Sequence, residues 1–406
     1  MRDRPASIGS AHRAGLVVVG VLSGLLGGAA APPPSASPAA TTPAAAPSAA
    51  PSAAPSATAP SSVTAASPGA WDMTSVPLLA YYYIWFDPSS WSKAKKDLPA
   101  LGPYSSDDEA VMRQHIQWAK AAGIDGFLVS WKNTTTLDTR LDTLVKVARE
   151  EDFKLGIVYE GLDYSRNPLP ATQVAEDLDY FAAHYAPDPV FRIFAKPLVI
   201  WSGTWESSTA DIASVTGPRR DEMLILASEK SVDGYARVAG LVDGDAYYWS
   251  SVNPDTTSGY EAKLAAMSTA VHDAAGLWIA PAAPGFDARL IGGTSVVDRK
   301  DGQTLTEEMN AALHSLPDAI GLISWNEFSE NSYVEPSRTY GDRSLQVLAG
   351  LRKTNLPTID GIDSSSPGGV DPAPGIGRFA AISLVVVVGL GGTGIIARRR
   401  RRARVR

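Results

Sequence analysis

The sequence predicts an α/β chain folded as a (β/α)8 TIM barrel. Between about Val76 and Leu356, short apolar runs alternate with longer amphipathic ones, the pattern of buried strands separated by surface helices. Eight such units in roughly 280 residues suit a barrel of this kind, for which about 250 is typical. A doubly wound open sheet is the alternative, but it would favour a Gly-rich phosphate turn after an early strand. The sequence has none there.

Taken in order, strands are expected over Leu78–Trp85, Gly126–Trp131, Leu155–Glu160, Leu198–Trp201, Leu224–Ser228, Asp245–Trp249, Leu277–Pro281 and Ile320–Trp325. The clearest helices between them are Asp107–Ala122, Leu137–Glu151, Gln173–His184, Tyr260–Ala274 and Thr306–Ser315. In the first of these, Val111, His115, Trp118 and Ala119 recur at helical spacing. No internal repeat stands out.

The ends are of different character. A basic start through Arg13 leads into the apolar run Ala14 to Gly28 and then Ala29-Ala30-Ala31. This is the shape of a secretory signal peptide, expected over residues 1–31. Residues 32–70 are almost entirely Ala, Pro, Ser and Thr, a composition too poor in large apolar side chains to order itself, so a disordered linker is expected there. The barrel is assigned to 71–357 and a second linker to 358–378. Phe379 to Ala397 runs uncharged for 19 residues, enough to cross a bilayer at about 1.5 Å per residue, which predicts a C-terminal transmembrane helix. The Arg-rich tail 398–406 would mark its cytoplasmic side. The expectation is an exported chain, anchored in the plasma membrane by that helix with the barrel outside.

The whole chain carries a formal charge of −7 although both ends are basic, so the centre is more acidic still. Such a surface repels nucleic acid and says little about a neutral sugar. With no cysteine, disulfides, thiol catalysis and cysteine-based metal sites are excluded. Acyl hydrolysis fares badly: Gly-x-Ser-x-Gly is absent, and His12, His115, His184, His272 and His314 fall in the leader or in expected helices. Neither His-x-His nor His-Glu-x-x-His occurs to suggest a metallohydrolase.

Barrel chemistry lies at the C-terminal ends of the strands. Those ends read Tyr83 and Trp85, Trp131, Glu160, Trp201, Glu229, Tyr248 and Trp249, then Glu327 and Glu330. Aromatic faces stack on sugar rings and acids bond hydroxyls, although any one such aromatic could equally be packing. The last strand gives way to Ile323-Ser324-Trp325-Asn326-Glu327-Phe328-Ser329-Glu330, followed by Glu335-Pro336. Two glutamates three apart at a strand end can point at one small volume. Glycosidic cleavage needs such a pair, one protonated and one ionised. Two solvated loop acids are the plain alternative.

At this point the chain resembles glycoside hydrolase family 99, the endo-α-mannosidases and endo-α-mannanases. Tyr82-Tyr83-Ile84-Trp85-Phe86 resembles the family's Tyr-Tyr-x-Trp-Tyr strand, and Pro99 through Asp107 its Pro-x-Leu-Gly-x-Tyr-Ser-Ser-x-Asp segment. His115, Val129-Ser130-Trp131, and Val158-Tyr159-Glu160 with Arg166 follow in the expected order. Pro284-Gly285-Phe286-Asp287 resembles a Pro-Gly-Tyr-x-Asp turn, the Asn326–Glu330 stretch resembles Asn-Glu-Trp-His-Glu, and Val334-Glu335-Pro336 resembles Ile-Glu-Pro.

The resemblance implies a retaining hydrolase of α-mannosidic or related α-glycosidic bonds, endo-acting on a poly- or oligosaccharide. The sugar's own 2-hydroxyl would displace the leaving group to give a 1,2-anhydro intermediate, a recognised exception to the two-carboxylate scheme. Carried over, Glu330 would be the general acid and Glu327 the base for the 2-hydroxyl. Tyr83, Trp85, Trp131, Glu160, Tyr248, Asn326 and Glu335 would bind substrate. Neither metal nor organic cofactor is implied. Phe328 and Ser329 depart from the family's Trp-His, Asn331-Ser332-Tyr333 from Gly-Thr-Gln, and Lys132 from an aromatic. The rival from another class is a catalytically inactive surface glycan-binding barrel, against which the presence of both acids argues.

Overall fold

The structure, a computed structural model, describes residues 72–359. Its centre is eight parallel strands: β1 (Leu78–Tyr83), β2 (Gly126–Trp131), β3 (Lys154–Glu160), β4 (Leu198–Ser202), β5 (Leu224–Leu226), β6 (Gly244–Ala246), β7 (Leu277–Ala282) and β8 (Ala319–Leu322). They pair in the order β5-β4-β3-β2-β1-β8-β7-β6. A parallel bridge from Ala227 to Asp245 joins the two ends of that order, with Ala227 donating to the Gly244 carbonyl at 2.9 Å and Ala246 to the Ala227 carbonyl at 2.8 Å. The sheet is closed, so the chain is the expected barrel.

Eight helices alternate with the strands: α1 (Glu109–Ala121), α2 (Thr135–Glu150), α3 (Ala171–His184), α4 (Thr209–Thr216), α5 (Val232–Val238), α6 (Tyr260–Asp273), α7 (Gln303–His314) and α8 (Arg343–Arg352). The five clearest in the sequence are present within a few residues of their expected bounds. The short α4 and α5 offer too few turns for a periodic stripe to show, but each announces its start with a capping serine. Ser208 accepts from the Asp211 N–H and Ser231 from the Gly234 N–H, both at 3.1 Å. A small antiparallel pair, Phe286–Asp287 with Val296–Val297, follows β7.

Strand parity divides the apolar side chains into two sets. Leu79, Tyr81, Leu128, Val158, Leu198, Ile200, Leu226, Ile279 and Ile323 fill the lumen as one cluster. Leu78, Ala80, Tyr82, Phe127, Val129, Trp131, Tyr159 and Trp201 belong to the larger layer between strands and helices. Alternation continues to the strand ends. Tyr83, Ser130 and Glu160 therefore cap the lumen, while Trp131, Tyr159 and Trp201 point outward.

The expected transmembrane helix is corrected. No helix among the described residues is long and apolar enough to cross a membrane, and residues 379–397 lie outside them. The run also holds Gly389, Gly391, Gly392 and Gly394, each costing a helix about 1 kcal/mol relative to alanine. Its apolar length alone was a weak argument for a span. The expected leader, both linkers (except 358–359) and the tail likewise fall outside the described residues.

Candidate active site

Beyond β8 the chain makes a compact excursion at the barrel mouth. The Ser324 N–H donates to the Ser332 carbonyl at 2.6 Å and the Val334 N–H to the Ser324 carbonyl at 2.9 Å, drawing the two ends of the loop together. Asn331, at φ 55°, provides a left-handed turn, a conformation that asparagine tolerates better than most residues. Phe328 stacks on Tyr333 with ring centroids 3.9 Å apart and meets Trp91 edge-on at 5.5 Å. These rings form a small apolar cluster with Tyr83, Phe86 and Tyr104 that fixes the loop from beneath.

Glu327 and Glu330 are both buried on this loop. The Glu327 Oε1 accepts from the Ser329 N–H at 2.9 Å, and its own N–H donates to the Ser324 hydroxyl at 2.8 Å. A backbone donor thus orients Glu327 where the family motif carries a histidine. Burial raises the Glu327 carboxyl above its ordinary range, opposed by that N–H and by the charge of Lys95. Glu330 is pushed up further, first by burial and then by the charge of Glu327, with Arg166 opposing. No described protein group hydrogen-bonds either Glu330 oxygen. Its backbone is pinned instead, the carbonyl accepting from the Asp287 N–H at 2.7 Å. Asp287 is itself tied down by Lys96 at 2.6 Å and Arg289 at 2.6 Å.

Across the mouth, Glu160 at the end of β3 is buried, and its Oε1 accepts from the Ser130 hydroxyl at 2.6 Å. Burial raises this carboxyl too, against the Ser130 bond and the charges of Lys132 and Arg166. The Tyr83 and Tyr248 hydroxyls are 2.9 Å apart. Burial and the charges of Glu327, Glu330 and Glu160 together hold the Tyr83 phenol well above its usual range, which sets the three carboxyls around one phenol. Trp85 is half-buried and stacks on Tyr83 at 4.3 Å.

The residues expected at the site therefore separate. Glu327, Glu330, Glu160, Tyr83 and Tyr248 converge at the mouth, with Trp85 beside them. Trp131 is fully buried on the outer face of β2, its indole N–H on Asp138 at 2.9 Å. Glu335 is fully buried, one oxygen 3.1 Å from the His115 Nε2 and the other accepting from the Tyr104 hydroxyl at 2.9 Å. Asn326 is fully buried and bonds the backbone of Tyr83. The last two support the site from below. Lys95 went unnoticed in the sequence, where it is one of three lysines in the polar stretch Lys93–Lys96, and only the fold brings it to Glu327. Among the described residues no cluster of His, Cys, Asp or Glu could hold a metal.

Two buried acids of unequal proton affinity at the mouth of a closed barrel, ringed by tyrosines and a tryptophan, are the apparatus of a glycoside hydrolase. The comparisons with known proteins agree. Residues 92–346 match the model of glycosyl hydrolase family 99, and the chain belongs to that family. Among solved structures it is similar to two of the family 99 endo-α-mannosidase of Bacteroides thetaiotaomicron, the first in complex with bis-tris-propane. One has TM-score 0.62 and 21% identity, covering 68% of this chain and 96% of that one. The other has TM-score 0.60 and 19% identity, covering 70% and 98%. A glycoside hydrolase-like protein follows at TM-score 0.54 and 17% identity, covering 68% and 93%. No curated protein matches the chain.

Proposed function

We propose that the protein cleaves α-mannosidic bonds within a glycan, with retention, through a 1,2-anhydro sugar. The observation that carries this reading is the contrast between the two acids. Glu330 is buried, raised and unbonded by any described protein group, whereas Glu327 is raised less and receives an N–H and the field of a lysine. A carboxyl that keeps its proton and has it free to give is a general acid, and a carboxylate held ionised is a base.

In the first step Glu327 takes the proton of the sugar 2-hydroxyl as that oxygen bonds to C1. The bond from C1 to the departing oxygen breaks, and Glu330 gives its proton to that oxygen. In the second step water attacks C1 and passes a proton to Glu330, while the epoxide C1–O bond opens and the 2-oxygen regains the proton held by Glu327. Two inversions at C1 give net retention. Glu160 and Tyr83 stand where sugar hydroxyls would need partners, and Trp85 offers a ring face for stacking. The test is incubation of the purified protein with α-mannans and α-mannosyl fluorides, with the anomer followed by proton NMR. Release of the α-anomer is expected; first release of the β-anomer, or cleavage of β-linked substrates alone, refutes the mechanism.

Export is proposed on the sequence of residues 1–31 alone. Fractionation of producing cells should recover the chain outside the cytoplasm with those residues removed. Full-length chain confined to the cytoplasm would refute it.

A further inference from the structure

We propose that the small hairpin after β7 holds Glu330 in its working position, and that Arg299 is the positioning residue through which it does so. The inference rests on the glycosidase reading, in which Glu330 is the acid, and adds what keeps that acid in place.

No described protein group hydrogen-bonds the Glu330 carboxyl, so its place at the mouth is set through the backbone beside it. Two bonds supply that hold. The Glu330 carbonyl accepts from the Asp287 N–H at 2.7 Å, and the next carbonyl, of Asn331, accepts from the Arg299 Nη2 at 3.0 Å. Asp287 ends the first strand of the pair Phe286–Asp287 with Val296–Val297, and Arg299 lies two residues beyond the second. One small unit therefore grips consecutive carbonyls of the loop that carries the acid. The two grips bracket Asn331, which sits at φ 55°, a conformation uncommon for a residue with a side chain.

Arg299 is itself built in. It is buried, and its guanidinium lies 4.5 Å from the ring centre of Tyr333 and 4.3 Å from that of Tyr340. Its Nη1 donates to the Ser344 hydroxyl at 3.4 Å. Tyr333 belongs to the same loop, so the arginine holds the loop by a carbonyl and by a ring two residues on. Gly285 leaves room for the arginine stem: a Cβ there would lie 2.7 Å from the Arg299 Cγ, and at φ 149° it would be strained as well. Among the described residues Arg299 makes no ion pair. A buried cation without a paired carboxylate is costly, and an apolar side chain would fill the space without that cost. What the guanidinium adds is a rigid planar donor that reaches the Asn331 carbonyl while stacked on two rings. The charges acting on the Glu330 carboxyl are those of Glu327 and Arg166, so Arg299 acts on its place instead.

The test compares Arg299→Met, Arg299→Lys and Gly285→Ala in the full chain, with Ser344→Ala as a control that frees one end of the arginine but spares the carbonyl bond. Gly285→Ala displaces the arginine without removing it, and serves if Arg299→Met fails to fold. On an α-mannan oligosaccharide, Arg299→Met and Gly285→Ala should lower kcat at least about tenfold, because a misplaced acid no longer meets the departing oxygen. KM should stay within about twofold, since ground-state binding is untouched. An α-mannosyl fluoride needs no proton to depart, so both variants should still give a full burst of fluoride, which a general loss of the site would remove. Arg299→Lys, keeping a cation and a donor, should recover part of kcat, and Ser344→Ala should leave it unchanged. Hydrogen exchange read by mass spectrometry should quicken over residues 324–334 in Arg299→Met while β1 to β3 stay as protected as in the wild type. Wild-type kcat in both variants, or a burst lost in step with kcat in both, overturns the inference and leaves the activity standing. Unchanged exchange over the loop overturns it as well. A loop that loosens in a protein that cleaves no α-mannoside would sink the proposed activity and leave the hold on the loop standing.

Discussion

Asn326 grips the backbone of Tyr83 from both sides. Its Oδ1 accepts the Tyr83 N–H and its Nδ2 donates to the Tyr83 carbonyl, both at 2.9 Å. The side chain acts as one more rung between β1 and the loop after β8, tying the phenol at the mouth to the loop that carries both acids. Its Nδ2 also reaches the Tyr104 hydroxyl at 3.3 Å, and Tyr104 bonds Glu335, which bonds His115, which lies 3.0 Å from the Tyr82 hydroxyl through its Nδ1. Removing the amide leaves a buried N–H and C=O unpaired, at about 2–4 kcal/mol for the two. Asn326→Ala should therefore lower the urea midpoint and reduce kcat more than it raises KM. A loss confined to KM would mean that the amide meets substrate directly.

The two acids are predicted to fail differently. Glu330→Gln should cost about 10²–10⁴ in kcat on a natural glycan, because the leaving alkoxide goes unprotonated. An α-mannosyl fluoride needs no such proton, so this variant should still release a burst of fluoride equal to the enzyme present. Slow hydrolysis should follow, since the same residue activates water. Glu327→Gln should lose both steps and show no burst. Fluoride release followed by electrode distinguishes them, and identical behaviour of the two variants would remove the division of roles.

Turnover should fall on both sides of a pH optimum, with the acid limb set by Glu327 taking up a proton and the basic limb by Glu330 losing one. Lys95 favours the ionised form of Glu327. Lys95→Met removes that charge, so Glu327 holds its proton to higher pH. The acid limb of kcat/KM should move upward while the basic limb moves less. A downward shift, or no shift, would mean that Lys95 does not act on this carboxyl.

How much of this was legible in the sequence follows from what the local pattern encodes. Apolar runs mark all eight strands because barrel strands are buried on both faces, yet the apolar runs Leu78–Trp85, Leu224–Ser228, Asp245–Trp249 and Ile320–Trp325 each extend past the C-terminal end of the paired strand. Residues such as Trp85 and Trp325 stay packed after the ladder hydrogen bonds stop, and hydrophobicity reports packing rather than pairing. The catalytic-type pair was visible as Glu-x-x-Glu at a strand end. Strand parity separates the other expected residues: counting by twos from Leu128 puts Ser130 in the lumen and Trp131 outside, and from Val158 it puts Glu160 inside. The partners of Glu335 and the approach of Lys95 to Glu327 span more than 200 residues of sequence, and no local pattern carries such a contact.

Trp131 gives the sharpest test of that parity. Its ring packs among Tyr159, Phe181 and Tyr185, with centroids 6.0–6.3 Å away, and its indole N–H satisfies Asp138 on α2. Trp131→Phe keeps an aromatic but shrinks it and strands the carboxylate. The loss of buried area and of one hydrogen bond should lower stability by about 1–3 kcal/mol. Because the side chain faces the helices rather than the lumen, KM for an α-mannan oligosaccharide should stay within about twofold of wild type, a change of under about 0.5 kcal/mol in binding. Thermal unfolding beside steady-state kinetics on the same preparation reads both quantities. A large rise in KM at unchanged stability would place the indole against sugar and overturn the outward orientation of this ring.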